Sequence, residues 1–143
     1  MPIDKLTIKQ RLALIENYVK ELEQLSKIPA HEFVHTRNAA AAESFLRRTL
    51  EAIFDIGRHI LAKNENINIA LEYKGIAIGL KNMGIIDTSL SNQLIKMAGY
   101  RNRLVHFYHQ VSDEELYSII NNNLKDIITF KEQIKRYLKS VNT

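Results

Sequence analysis

Apolar residues recur along this chain at intervals of three and four. Ile8, Leu12, Ile15, Val19 and Leu22 form the first such stripe, and Leu25 extends it. That spacing puts side chains on one face of an α-helix. Asp4 stands just ahead as a capping residue, so a first helix is expected to start after it and run to about Ser26. Lys27-Ile28-Pro29-Ala30 breaks the pattern, because proline removes a helix donor. A second helix is expected from about Thr36 to Lys63, burying Ala39, Ala42, Phe45, Leu46, Thr49, Ile53, Ile56 and Ile60. The polar run Asn64-Glu65-Asn66-Ile67-Asn68 reads as a loop. A shorter helix over about Tyr73 to Asn82 is stopped by Gly84. Asp87-Thr88-Ser89 then offers caps to a helix that turns Leu90, Leu94, Met97 and Ala98 inward and runs into Arg101–Tyr108. Ser112 and Glu115 fit a capping box ahead of a last helix, with Leu116, Ile120, Leu124, Ile127, Ile134 and Leu138 on its apolar face. About five helices with short connections predict an all-α, compact helical bundle.

Composition narrows this picture. A chain of 143 residues has the length of one domain, taken as 1–143, and buries a sizeable core without disulfides or structural metal. There are only 5 glycines and 2 prolines, so strand-and-turn punctuation is sparse. There is no cysteine, which excludes disulfides and thiolate metal sites. No apolar run reaches the roughly 18 residues of a membrane span, and Met1-Pro2-Ile3-Asp4-Lys5 lacks the character of a signal peptide. A soluble cytoplasmic protein is expected. The net charge of +4 favours contact with phosphates without specifying it.

The chemistry concentrates in Arg101-Asn102-Arg103-Leu104-Val105-His106-Phe107-Tyr108. On a helix turning about 100° per residue, with Arg101 at zero, Asn102 lies near 100°, His106 near 140° and Tyr108 about 20° short of Arg101. These four side chains share one side, while Leu104 points away. Cleaving RNA by transesterification takes a base for the ribose 2′-hydroxyl, an acid for the leaving 5′-oxygen, and positive charge for the phosphorus-centred transition state. His106 suits either proton-transfer role near neutrality. Arg101 presents a planar fork matched to phosphate oxygens. Asn102 can position a phosphate or orient His106. Tyr108 can pack its ring at the edge of the core and expose its hydroxyl. Arg103 falls outside the polar arc but is long enough to reach inward. The chemistry requires no metal and no cofactor. Acid and base are two jobs, and each chain brings one motif histidine. A symmetric dimer that pairs two copies of the segment would supply both.

Arg101-Asn102, three residues, His106, one residue and Tyr108 make a pattern that resembles the HEPN superfamily, most closely its HepT toxin branch. Asp55-Ile56-Gly57-Arg58-His59-Ile60, Gly84-Ile85-Ile86-Asp87, Met97-Ala98-Gly99-Tyr100 and Asn123-Leu124-Lys125-Asp126 share the likeness, which spans residues 6 to 138. The resemblance implies a HEPN-like bundle that dimerises with both motifs facing one cleft, and a metal-independent endoribonuclease toxin acting on RNA. It implies Arg101 and His106 as catalytic and Asn102 as supporting. It implies as partner an MNT-type nucleotidyltransferase antitoxin that transfers AMP to Tyr108. The alternative is a non-catalytic nucleotide- or partner-binding subunit of a nucleotidyltransferase complex, in which Arg101 and His106 hold phosphates without cutting.

Other candidates carry less. His31 and His35 are four apart, a spacing that can bind zinc, but Glu32 does not complete a recognised motif. His59 and His109 read as structural or exposed. Asp55, beside the buried stripe, either orients a site residue or is a plain surface carboxylate. Lys131, Lys135, Arg136 and Lys139 give the last helix a basic end, which complements the helix dipole or guides RNA.

Overall fold

The computed structural model describes residues 3–63, 72–105 and 111–141. The described residues form seven helices and no strand: α1 (Lys5–Ser26), α2 (Ala30–Phe33), α3 (Arg37–Lys63), α4 (Tyr73–Asn82), α5 (Thr88–Val105), α6 (Asp113–Asn122) and α7 (Leu124–Ser140). The expected all-α bundle is therefore present. Helix α3 is its spine, with Leu46, Leu50, Ile53, Phe54, Ile56, Ile60 and Leu61 all buried. Helices α1, α4, α5 and α6 pack against it, and α7 closes on α1, α5 and α6. None of the described helices is long and apolar enough to cross a membrane.

Caps set the helix starts where side chains can reach the free N–H groups. Asp4 accepts from the Thr7 N–H at 3.2 Å, and Ser112 accepts from the Glu115 N–H at 3.1 Å. Gly84 adopts φ 73°, the left-handed geometry that ends α4, and the N–H of Ile85 returns to the Leu80 carbonyl at 3.0 Å. The α1 stripe from Ile8 to Leu22 is buried as expected, with Leu25 half-buried at its end. Phe45 departs from the expected α3 stripe. It is half-buried and faces the Tyr18 ring at 6.1 Å between centroids.

Two elements differ from the expected five. The Pro29 break contains a single helical turn, α2, whose Phe33 is fully buried against Tyr117 at 4.9 Å between rings. The helix stops at Phe33, and His35 lies beyond it at φ 62°. His31 and His35 thus do not share a helix face. The expected last helix is two. Asn121, Asn122 and Asn123 turn their amides to Tyr117 O, Ser118 Oγ and Asp126 Oδ2, local bonds that compete with helix propagation. The apolar period runs through this break unchanged, so periodicity alone does not reveal it.

Asp87 joins α5 to α7. One carboxylate oxygen accepts from the Leu90 N–H at 2.7 Å and the other from Gln133 Nε2 at 2.7 Å, while Gln133 Oε1 accepts from the Asp87 N–H at 3.0 Å. The Leu90 bond first, then Gln133, holds the Asp87 carboxyl below its ordinary range. A depressed carboxyl contributes stability above its unfolded pKa of about 3.9, and that contribution is lost as pH falls through the folded value. Asp87→Ala is expected to cost about 1 kcal/mol at pH 7, the ordinary worth of such a cap. The gap from wild type should shrink below about pH 4. Urea melts from pH 7 to pH 3 read this, and a pH-independent gap would refute the assignment.

Candidate functional site

Helix α5 carries the first half of the motif. Arg101 is half-buried and Asn102 exposed near the end of its described length. The Arg101 guanidinium lies over the Tyr73 ring at 4.5 Å from the centroid. Tyr73 opens α4. The same ring also meets Phe54, ring to ring at 4.9 Å, and Arg58 at 5.5 Å. Stacking on an aromatic face fixes the plane of a guanidinium, which is the plane in which it donates to phosphate. The Nε of Arg101 is buried with no hydrogen-bond partner among the described residues. A buried donor of this kind is costly unless a ligand or neighbour completes it.

Gly57 allows this contact. A Cβ there would collide with Ile76 Cγ2 and press on Leu80 Cδ1 at 3.2 Å, so the missing side chain lets α4 approach α3 and deliver Tyr73. Arg58, next in sequence, pairs with Asp55 at 3.4 Å as well as facing the ring. Asp55 itself is exposed and reaches the site through Arg58.

Asn102 lines a concavity of about 470 Å³ between α4 and α5, together with Tyr73, Glu72, Lys74, Ile95 and Gly99. A Cβ on Gly99 would meet nothing within 4 Å among the described residues. Tyr73 thus belongs both to the Arg101 stack and to the Asn102 concavity. His106 and Tyr108 lie outside the described residues, as does His109.

Arg103 does not turn inward. It forms a two-pronged bond with Glu115 at 2.6 and 2.7 Å, linking α5 to α6 across the two sides of the 106–110 segment. Hydrogen bonds from Arg103 hold the Glu115 carboxyl below its ordinary range. Glu115 thus occupies the capping-box position, but its side chain serves Arg103. His59 is structural, accepting the Asp4 N–H at 3.3 Å. Sequence reasoning missed Tyr73 as a site residue, since its position at a helix start conveys nothing about Arg101.

Three comparisons bear on this geometry. The profile of the ribonuclease HepT-like family matches residues 15–134. A tRNA nuclease HepT of Aphanizomenon flos-aquae is 27% identical over 137 residues, covering 95% of this chain and 92% of that one. An mRNA nuclease HepT of Shewanella oneidensis is 30% identical over 90 residues, covering 63% and 67%. Among solved structures, a tri-AMPylated Shewanella oneidensis HEPN toxin in complex with an MNT antitoxin superposes with a TM-score of 0.80 at 24% identity, covering 91% of this chain and 97% of that one. That likeness is one of fold. The chain belongs to the ribonuclease HepT-like family.

Proposed function

We propose that this protein is a metal-independent endoribonuclease toxin, cytoplasmic and neutralised by a nucleotidyltransferase partner. The observation that carries the reading is the Arg101 guanidinium, held over Tyr73 with its buried Nε lacking a partner among the described residues. This cation is oriented before any substrate arrives, and membership of a ribonuclease family supports RNA as that substrate.

In the proposed reaction His106 removes the proton from a ribose 2′-hydroxyl. The oxygen attacks the adjacent phosphorus, and the bond to the 5′-oxygen breaks. The 5′-oxygen leaves with a proton from the second copy's histidine. The products are a 2′,3′-cyclic phosphate and a 5′-hydroxyl. Arg101 balances the charge added to the phosphoryl oxygens, and Asn102 holds the phosphate or orients His106. The donor set of imidazole, guanidinium and amide supplies each role without a metal. Two copies about a two-fold axis complete the acid–base pair.

Restraint of the toxin centres on Tyr108. The nucleotidyltransferase directs the phenol oxygen onto the α-phosphorus of ATP, and pyrophosphate leaves. The resulting AMP ester is anionic and occupies Arg101 in place of RNA. Support comes from the relative whose structure is AMPylated and bound to an MNT antitoxin. Co-expression with such a partner is expected to raise the intact mass by whole AMP units and to abolish growth arrest. An unchanged mass, or an adduct that survives Tyr108→Phe, would refute the Tyr108 assignment.

A further inference from the structure

The groove between α1 and α7 is distinct from the site built around Arg101. It encloses about 470 Å³, and its rim carries Lys5, Lys9, Lys135 and Lys139 above a floor that includes the buried Leu12 and Leu138. Its one acid, Glu16, is bound by Lys135 at 2.9 Å and by Lys131 at 3.3 Å. Those bonds, Lys135 first, hold the Glu16 carboxyl below its ordinary range. Lys5, Lys9 and Lys139 line the groove as well, so the surplus of lysine over Glu16 is comparable to the whole chain's net charge of +4.

A second basic concavity lies on the other flank of α1, nearer Arg101. Arg101 and Arg58 share the Tyr73 ring. Arg58 also lines this second concavity, of about 350 Å³, with Thr7, Arg11 and His59. Thr7 and Arg11 lie about 200° around α1 from Lys5 and Lys9, so the two concavities flank the buried stripe of α1 on either side. Asp55 pairs with Arg58, Asp4 with Thr7, and Glu16 with the lysines.

We propose that the α1/α7 groove binds the phosphate backbone of RNA at a distance from the cleaved bond. The lysine rim contacts successive phosphates along the groove. A polyanion matches a rim of four lysines whose acid Glu16 is already paired, and membership of a ribonuclease family favours RNA as that polyanion over an acidic protein segment. Like charge disfavours a second copy of this chain there.

The proposal rests on the ribonuclease reading for its substrate, but its test does not require cleavage. Labelled 20-nucleotide oligouridine is titrated against His106→Ala protein, with and without Lys5→Gln, Lys9→Gln and Lys139→Gln. Those three lysines are chosen to spare the Glu16 pairs. Affinity is expected to fall at least about tenfold, and the slope of log K against log salt to flatten by about 2, near 0.7 per lost phosphate contact. On the active background, KM for long RNA should rise while turnover of a dinucleotide stays unchanged. Unaltered affinity and salt slope would overturn the proposal. So would RNA affinity left intact while binding of poly-glutamate is lost, which would make the groove a protein-docking surface. If wild type cuts no RNA while the binding results hold, the ribonuclease reading fails and the groove assignment stands.

Discussion

Arg101→Lys is expected to lower kcat/KM for RNA cleavage by about 10²–10³, the usual cost of losing one oriented donor at a developing anion. The charge is kept, so a site that needed only a cation would tolerate the change. The structure argues that it needs more. The guanidinium lies over the Tyr73 ring at 4.5 Å from its centroid, a face that suits a planar fork. An ammonium on a flexible stem has neither the flat face nor paired donors. Tyr73→Phe retains the ring and should stay within about threefold of wild type by the same reasoning. Steady-state kinetics on one RNA, with circular dichroism to confirm folding, reads both variants. An Arg101→Lys enzyme within threefold of wild type would remove the oriented fork from the mechanism.

His106→Ala carries the other large expected effect, a loss of about 10²–10⁴ in cleavage, the range contributed by a positioned acid or base. In a symmetric dimer one substitution removes the acid of one copy and the base of the other, so the upper end of that range is expected. Induced without its partner, wild type should arrest growth and His106→Ala should not. Equal growth of the two would leave the non-catalytic binding subunit as the better description.

Much of the fold was legible in the sequence because each helix declares itself in its own residues. Asp4, Gly84, Asp87 and Ser112 mark ends through local hydrogen bonds or left-handed backbone, and Ile8 to Leu22 mark a face through spacing alone. The α6–α7 break was hidden because Leu116, Ile120, Leu124 and Ile127 keep helical period across Asn123. At the candidate site, Arg101 and Asn102 could be singled out by residue type and spacing. The Tyr73 platform could not, because it depends on α4 meeting α3 over Gly57, a contact between elements distant in the chain. Arg103 followed the same rule. Its partner Glu115 lies twelve residues on, and helical projection alone says nothing about α6. The basic groove likewise joins the two ends of the chain, and only the packing of α7 on α1 brings Lys5 near Lys139.

The central claim is that Arg101 and His106 cut RNA by using its own 2′-hydroxyl. The most direct measurement incubates the purified protein in EDTA with one labelled RNA and with the same RNA carrying a 2′-deoxy residue at the cut position. Wild type is predicted to cleave the all-ribose strand to a 2′,3′-cyclic phosphate and a 5′-hydroxyl. It should leave the deoxy strand whole, and His106→Ala should leave both whole. Cleavage of the deoxy strand, or of either strand by His106→Ala at the wild-type rate, would contradict the account.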